Sequence, residues 1–283
     1  MPCTNSIPPK NEIRSSRRRP PFRNVSLKLK PLERKDAFEV CGRGELQMAV
    51  LIETMRREGY EFMVSKPNVI TKKENGKTLE PVERVFIDIP EEFVGIVTEK
   101  LSVRKGRMAH LINKGSGRVN LEFLVPCRGL IGFRSHFLTD TKGAGVMNTL
   151  FEDYEPWFGP IPQRASGALL ADRNGRGTNY ASLAMVDRGE LFVEAGYEVY
   201  GGMIIGQHSK DNDLEVNPCK GKKLTNVRAS GTDDAIKLTP PRLLTLEQAL
   251  EFIAEDELVE VTPSSIRLRK KVLDPNMRKR SNR

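Results

Sequence analysis

Residues 75–78 read Asn-Gly-Lys-Thr, a combination with which many proteins hold the phosphates of a nucleotide. The full phosphate-loop pattern also requires a first glycine at position 71, where this chain has Thr71, and a helix directly afterwards. Because the cradle of backbone N–H groups depends on both glycines, we interpret Asn75 and Gly76 as the turn of a β-hairpin.

Three further segments resemble parts of nucleotide or anion sites. Residues 42–45 (Gly-Arg-Gly-Glu) lie between a predicted strand and a predicted helix, where backbone N–H groups could hold an anion, although a tight structural turn is favoured. Residues 140–143 match a short DxxG pattern with no phosphate loop before it, and residues 113–116 lack the final aspartate of a guanine-reading NKxD pattern. We therefore expect no nucleotide binding and no catalytic residues in this chain.

Metal and nucleophile sets are also disfavoured. The histidines and cysteines are widely spaced along the chain, with no CxxC pair: His110, His136, His208, Cys3, Cys41, Cys127 and Cys219. This spacing argues against a zinc finger and a disulfide scaffold. The acidic run at residues 255–257 is interpreted as solvated, and no Ser–His–Asp order carries a recognisable nucleophile elbow.

Charge is distributed unevenly and favours a polyanionic partner. The chain of 283 residues has a formal net charge of +9. Residues 1–35 carry +8 and residues 266–283 carry +7, whereas residues 36–265 carry −6. Basic ends beside an acidic body are typical of proteins that contact RNA or DNA, although solvated tails would give the same pattern. No stretch approaches 18 consecutive apolar residues, so no transmembrane helix is predicted and no membrane partner is expected.

The strongest candidate for RNA contact is a long loop at residues 207–231. It begins near Lys210, and residues 219–230 contain four cations and no acid. These cations are Lys220, Lys222, Lys223 and Arg228. Loops of this length in compact domains are usually functional or disordered, so an RNA-contact loop is favoured over a merely solvated one. An RRM is disfavoured because the candidate strand at residues 117–124 carries a single aromatic side chain, Phe123.

Hydrophobic periodicity predicts an α+β fold that positions this loop. Residues 24–64 predict strand, strand, helix (residues 45–58) and strand (residues 60–64), a partial ferredoxin-like sandwich. The second unit predicts βαββαβ, a complete ferredoxin-like sandwich. Its strands and helices are predicted at residues 82–89, 90–100, 106–111, 118–125, 128–139 and 146–154.

The remaining residues predict a mostly β domain with one helix. Its strands are expected at residues 167–171, 178–186, 190–193, 197–200, 203–207, 258–261 and 265–270. Its helix is expected at residues 245–256, where Thr245 and Gln248 form a capping box. Residues 1–23 show no apolar period and are expected to be disordered; an organelle transit peptide and a misassembled gene are both compatible with their composition.

Long motifs carry a family resemblance. The chain reads FEVCGRGELQMAVLIETMRREGYEFMVSKP at residues 38–67, GRVNLEFLVPCRGLIGFRSHFLTDTKGAG at 117–145, GKKLTNVRASGTD at 221–233 and LEQALEFIAEDELVEVTPSSIRLRK at 246–270. Together with RKGRM at 104–108, these motifs resemble the TypA/BipA translational GTPases, relatives of elongation factor G. The resemblance runs from about residue 24 to the C-terminus.

The resemblance implies a domain order. Residues 1–23 would be a basic segment unlike the family, 24–72 a partial third domain, 80–155 a domain like the fifth of elongation factor G, 162–271 the TypA/BipA-specific C-terminal domain and 272–283 a basic tail. The chain would then lack the nucleotide-binding domain, so the GTP and Mg²⁺ of the full-length family would bind no residue here and this chain would not be an enzyme.

The resemblance also implies partners: the ribosome, 23S-type rRNA and A-site tRNA, whose acceptor end the loop at residues 208–228 would approach. Further candidate rRNA contacts lie in the second sandwich, at Arg104, Lys105, Arg128 and Arg134. The protein would act in translation or ribosome assembly under stress, in the bacterial cytoplasm or in an organelle stroma or matrix, and would be monomeric off the ribosome. The alternative is a standalone α+β RNA-binding protein.

Overall fold

The computed structural model describes residues 3–7, 27–32, 37–113, 115, 117–161, 164, 166–221 and 239–281. These residues form two compact units. Unit 1 comprises residues 1–58 and 66–163, and unit 2 comprises residues 59–65 and 164–283. The α+β class predicted from the sequence is confirmed.

The elements follow in chain order. The first part contains β1 (Cys3–Ile7), β2 (Lys28–Pro31), β3 (Phe38–Gly42), α1 (Glu45–Arg57), β4 (Phe62–Ser65), β5 (Asn68–Val69), β6 (Lys72–Glu74), β7 (Lys77–Pro90), α2 (Val94–Val103), β8 (Arg107–Asn113), β9 (Arg118–Pro126), α3 (Cys127–Leu130), α4 (Phe133–Asp140) and β10 (Val146–Pro156). The second part contains β11 (Ala168–Ala171), β12 (Gly175–Arg176), α5 (Asn179–Val186), β13 (Gly189–Leu191), β14 (Glu198–Val199), β15 (Met203–His208), β16 (Leu214–Val216), α6 (Leu246–Phe252), β17 (Glu257–Val261), β18 (Ile266–Lys270) and α7 (Pro275–Ser281).

The predicted second sandwich is present in unit 1. Its sheet has the order β10-β7-β9-β8 with antiparallel neighbours, and β6 extends it beside β7. Alternate side chains of β7 and β9 point into one core with α2 and α4, which buries residues such as Val85, Ile87, Phe123 and Phe137. The order of the four main strands is that of the βαββαβ sandwich.

One helix of this sandwich differs from the prediction. The sequence predicts a continuous helix over residues 128–139, but α3 ends at Leu130 and α4 begins at Phe133. Gly132 between them has a φ of 71°, a left-handed conformation that an α-helix cannot contain. The break turns the chain so that Phe133 and Phe137 reach the core.

The partial first sandwich is also different from the prediction. Its sheet has the order β2-β3-β1-β5, and β1 pairs antiparallel with β3. The expected disorder of residues 1–23 therefore does not apply to Cys3–Ile7, because β3 offers backbone hydrogen-bonding groups that a short strand can satisfy. The rest of that segment lies outside the described residues.

Strand β4 belongs to unit 2 rather than to the first sandwich. Phe62, Met63, Val64 and Ser65 pair antiparallel with β17, and both Phe62 and Val64 are buried. The first sandwich predicted at residues 24–72 is thus interrupted by a strand that completes the sheet of the other unit. The alternating apolar residues Phe62 and Val64 are buried in unit 2, because β4 pairs with the otherwise open edge of β17.

Unit 2 contains a seven-stranded mixed sheet. The order is β16-β11-β15-β18-β17-β4, with β13 also paired to β15, and only the β11–β16 pair among these is parallel. The capping box of Thr245 and Gln248 is present at the start of α6. The prediction of a single helix in this domain is wrong, because α5 is also helical, and α7 lies in the predicted basic tail that follows.

The strand predicted at residues 178–186 is the helix α5. Thr178 caps this helix by accepting a hydrogen bond from the N–H of Ala181. The helix buries Ala181, Ser182 and Met185 on one side, at helical rather than alternating spacing. The capping threonine at the start of residues 178–186 is the signal that distinguishes a helix from a strand here.

We expect amide hydrogen exchange to be faster in helix α1 than in the strands that follow it in the chain. Amides of α1 should exchange faster than those of β7 and β9, because α1 leaves Leu46 and Val50 exposed whereas both strands lie inside a sheet. Amides of β4 should be protected through β17. Exchange followed by mass spectrometry measures this, and equal protection of α1 and β7 would contradict it.

Candidate nucleic-acid interface

The structure describes the predicted RNA loop as far as Gly221, and residues 214–216 of it form the strand β16, so these residues are not the continuous loop that the sequence predicts. Lys210 lies in the turn after β15, and Lys220 lies just beyond β16. Both side chains are exposed, and neither has an ion-pair or hydrogen-bond partner among the described residues. The other predicted contacts, Lys222, Lys223 and Arg228, lie outside the described residues. Two cations of the set are therefore placed on the surface with their charges available.

The Lys220 end is fixed to the start of α5. The hydroxyl of Thr178 donates a hydrogen bond to the carbonyl oxygen of Lys220 at 2.5 Å. The same oxygen atom of Thr178 accepts from the N–H of Ala181 at 3.1 Å, and the N–H of Thr178 donates to the carbonyl of Pro218 at 3.0 Å. One threonine thus caps a helix and anchors the loop, a role that the sequence analysis missed.

The Lys210 end is fixed to the residue before β11. The N–H of Gly167 donates to the carbonyl oxygen of Lys210 at 2.6 Å, and the ring Nδ1 of His208 lies 2.6 Å from the carbonyl oxygen of Asn212. A Cβ atom at position 167 would lie 2.0 Å from that same Asn212 oxygen, so only glycine fits. His208 is buried and serves this turn.

A buried ion network lies under the Lys210 turn. The Nζ atom of Lys270 is 2.6 Å from an oxygen of Asp213, 2.8 Å from Asp256 and 2.8 Å from Glu257. Glu257 is fully buried and also accepts two hydrogen bonds from the guanidinium of Arg164, at 3.0 and 3.1 Å. The prediction that residues 255–257 are all solvated is therefore wrong for Glu257, which follows α6 and faces inward on β17.

Charges within the network set the pKa values of its members. Burial alone would lower the pKa of Lys270, but the carboxylates of Glu257, Asp213 and Asp256 outweigh this and raise it. Burial alone would raise the pKa of Asp213, but hydrogen bonds from Lys270 and the N–H of Ala168 hold it below its usual value. Both groups are therefore charged at neutral pH, and Asp213 ties the loop turn to the sheet.

Two of the predicted rRNA contacts in unit 1 have structural roles. Arg104 donates to the carbonyl oxygens of Gly129 at 2.9 Å and Ile131 at 3.1 Å, which supports the short helix α3. Arg128 forms a two-point ion pair with Glu80, with N–O distances of 2.5 and 3.0 Å, and Glu80 is buried. Both guanidinium groups are occupied by protein, so we no longer assign them to rRNA.

The other two remain available. Lys105 forms the turn between α2 and β8 with a φ of 65°, and Arg134 lies in the first turn of α4. Both are exposed, and their side chains have no partner among the residues that the structure describes. They keep their assignment as candidate rRNA contacts.

Comparison with protein families gives two adjoining matches. Residues 166–275 match the family described as the TypA/BipA C-terminal domain, and residues 77–165 match the family described as the elongation factor G C-terminus. The same two segments contain the basic loop and the complete βαββαβ sandwich.

Curated relatives agree with these matches. A protein named large ribosomal subunit assembly factor BipA from Haemophilus influenzae is 52% identical over 261 residues, which cover 92% of this chain and 42% of the relative. Proteins of the same name from Escherichia coli K12 and Bacillus subtilis are 51% and 50% identical, over 92% and 91% of this chain and 43% and 42% of their own lengths. The chain belongs to the TypA/BipA family. It spans less than half the length of these relatives.

In this TypA/BipA chain the phosphate-loop candidates are structural turns. Asn75 and Gly76, with φ values of 51° and 74°, join β6 to β7 as a two-residue hairpin. Gly42 lets Met48 pack closely, since a Cβ there would lie 2.1 Å from its methyl group. Gly143 ends α4 in a left-handed conformation and donates to the carbonyl of Leu138.

Two kinds of feature are absent from the described part of this TypA/BipA chain. It contains no cluster of three or more His, Cys, Asp or Glu side chains arranged to hold a metal ion. None of its helices is both long enough and apolar enough to cross a membrane.

Proposed function

We propose that this chain binds the ribosome through RNA, as the C-terminal portion of a TypA/BipA-type translational GTPase that acts in assembly of the large ribosomal subunit. The name of these relatives, large ribosomal subunit assembly factor BipA, supports the large subunit as the partner. The observation that carries the proposal is the pair of lysines, Lys210 and Lys220, which flank β16, are held by backbone hydrogen bonds and have no charge partner among the described residues.

The rigid loop base has a physical consequence. Because the backbone at Lys210 and Lys220 is already fixed by Gly167 and Thr178, binding a phosphate there orders few additional residues. Cations in such a loop neutralise phosphates and do little to distinguish one base from another. We propose that the loop contacts 23S-type rRNA and the acceptor end of A-site tRNA, and that Lys105 and Arg134 add rRNA contacts from unit 1.

Co-sedimentation with purified large ribosomal subunits at several salt concentrations tests this function. The chain should pellet with the subunits at low salt and be released as salt rises, because bound phosphates release counterions. Saturable binding to deproteinised RNA with no preference for the assembled subunit would instead favour the alternative of a standalone RNA-binding protein. The proposed compartment is the one in which such ribosomes reside, the bacterial cytoplasm or an organelle stroma or matrix, and the free protein is proposed to be monomeric.

We expect the purified chain to show no saturable GTP binding. Residues 75–78 form a hairpin turn and residues 140–143 the C-terminal end of a helix, which do not direct several N–H groups at one phosphate. At residues 42–45 the N–H of Arg43 donates to the side chain of Gln47 at 2.7 Å instead. In this proposal the GTP and Mg²⁺ sites and the hydrolytic activity belong to other domains of the family. Equilibrium titration with a fluorescent GTP analogue and Mg²⁺ measures this, and micromolar saturable binding would overturn the prediction.

A further inference from the structure

Trp157 is an exposed aromatic side chain held in a fixed position at the end of β10. Its exposed fraction is 48%, and it lines an open cleft of about 560 Å³ together with Thr71, Lys77, Thr78 and Pro156. Its backbone N–H donates to the carbonyl oxygen of Thr78 at 3.1 Å. An exposed indole on a hydrogen-bonded strand end is a preformed flat surface rather than a free side chain.

A buried ion pair holds the indole from one side. The guanidinium carbon of Arg128 lies 3.7 Å from the centroid of the Trp157 ring. Arg128 is itself fixed by the buried carboxylate of Glu80, which also accepts a hydrogen bond from the N–H of Phe158 at 2.7 Å. The cation covers one part of the ring, and the remaining exposed surface of Trp157 faces the cleft.

Lysines border the same cleft. In the strand pairing Lys72 lies opposite Leu79, and Leu79 lies opposite Pro156, so Lys72 and Pro156 share one face of the sheet. Lys77 is two residues from Leu79 and also faces that side. Neither ammonium group has an ion-pair partner within the described residues; Glu74 lies opposite Lys77 but forms no ion pair with it. The Nζ atom of Lys72 lies 3.9 Å from the centroid of the Tyr154 ring, so Lys77 is the less engaged of the two.

We infer that the cleft beside Trp157 binds an unpaired nucleotide of RNA, whose base stacks on the indole while Lys77 and Lys72 neutralise its phosphates. Aromatic rings beside cations are the usual means of holding single-stranded nucleic acid, and stacking tolerates any base. A rigid, preoriented ring reduces the entropy lost on binding. The inference extends the proposed function, since it adds a second RNA contact in the other unit, and it is tested without ribosomes.

The chain has a single tryptophan, so its intrinsic fluorescence reports on this cleft alone. The full chain is titrated with a single-stranded oligoadenylate of about nine nucleotides, within the usual site size for such proteins. Parallel titrations use an RNA duplex of equal charge and inorganic polyphosphate, which has charge but no bases. The oligoadenylate should quench the emission by about half or more, because stacking places a base against the ring; the other two polyanions should quench little.

Variants measured with labelled oligoadenylate complete the test. Trp157→Ala should raise Kd about tenfold, the usual cost of removing one stacking ring. Lys77→Ala should raise Kd about threefold and reduce its salt dependence, while leaving the quenching at saturation unchanged. Tyr60→Ala, which removes an aromatic side chain that is 47% exposed in the other unit, is the matched control and should leave Kd unchanged.

Each contrary outcome has a separate meaning. RNA binding without quenching would overturn the stacking site and leave the proposed function intact, because the basic loop would account for the binding. Equal quenching by polyphosphate would also overturn it. A response to rRNA-free ribosomal proteins but not to RNA would identify a protein occupant and overturn the inference. Since the quenching is measured on the unaltered chain, the result stands even if Trp157→Ala folds poorly.

Discussion

Substitution of Lys270 by methionine is expected to destabilise unit 2 by about 3 kcal/mol, the lower end of the cost of breaking a buried ion pair. Methionine keeps most of the side-chain volume but leaves Glu257, which is fully buried, with Arg164 as its remaining charged partner. Asp213 would also lose its contact at 2.6 Å. Urea unfolding followed by circular dichroism measures the change in unfolding free energy.

The neighbouring residue provides the control for this variant. Lys271→Met removes the same charge from an exposed position and should change stability by less than about 0.5 kcal/mol. The double variant Lys270→Met with Glu257→Gln should recover part of the loss, because the fully buried position 257 then carries no charge and Arg164 keeps its contact with Asp213 at 3.4 Å. Equal stability of the Lys270→Met and Lys271→Met variants would show that the network is not stabilising.

The ion network around Lys270 also determines how the destabilisation by Lys270→Met depends on pH. The lowered pKa of Asp213 stabilises the fold above the unfolded value of about 3.9, and this term is lost as pH falls through the folded pKa. The raised pKa of Lys270 stabilises the fold below the unfolded value of about 10.4, and this term is lost only at higher pH. The stability difference between wild type and Lys270→Met should therefore be flat between about pH 5 and pH 10.

Replacing the loop cations Lys220, Lys222, Lys223 and Arg228 with alanine is expected to weaken ribosome binding and flatten its salt dependence. Each lost phosphate contact should reduce the slope of log K against log salt by about 0.7 to 0.9, so four contacts correspond to a reduction of about 3. The fold should remain intact, because the anchor at Lys220 uses its backbone carbonyl oxygen. Co-sedimentation with large subunits at several salt concentrations measures both quantities.

Two further variants test whether the loop, rather than another basic segment, makes the electrostatic contact with the ribosome. A charge-matched control changes exposed cations of unit 1, namely Lys28, Lys30, Arg43 and Lys73. It should leave the salt slope unchanged. A truncation after Lys271 removes the basic tail with α7 and should have a smaller effect than the loop variant. If the loop variant binds normally while the truncation abolishes binding, the electrostatic contact belongs to the tail instead.

Local patterns predicted the second sandwich well. In β7 the buried residues Val85, Ile87 and Ile89 alternate with outward-facing ones, and the hairpin at Asn75 and Gly76 is specified by two residues that adopt positive φ. The residues that carry such a signal lie within a few positions of one another, so the element can be predicted without knowing which distant strands it pairs with. Two predictions failed because a single residue outweighed the periodicity of its segment. Gly132 breaks the helix predicted at residues 128–139, and the cap of Thr178 starts a helix where a strand was predicted.

Partners distant in sequence could not be predicted. Nothing within residues 62–65 indicates that they pair with β17 rather than with a nearer strand. Likewise a charge count cannot distinguish a free cation from a paired one. Arg104 and Arg128 bind other groups of the protein, whereas Lys105 and Arg134 have no ion-pair or hydrogen-bond partner in the part of the chain that the structure describes. One signal was present for Lys270, because Ile266, Leu268 and Lys270 alternate along β18 and share its inward face.

The pairing of β4 with β17 also constrains how the chain can fold during its own synthesis. Translation proceeds from the N-terminus, so β4 is synthesised about 190 residues before β17. During that interval Phe62 and Val64 have no sheet to join, although both are buried in the finished unit. The last strand to join the sheet of unit 2 is thus the first strand of that unit to be synthesised. A gene fragment starting at Arg164 would lack β4, so the edge of β17 would be open to pairing with another chain.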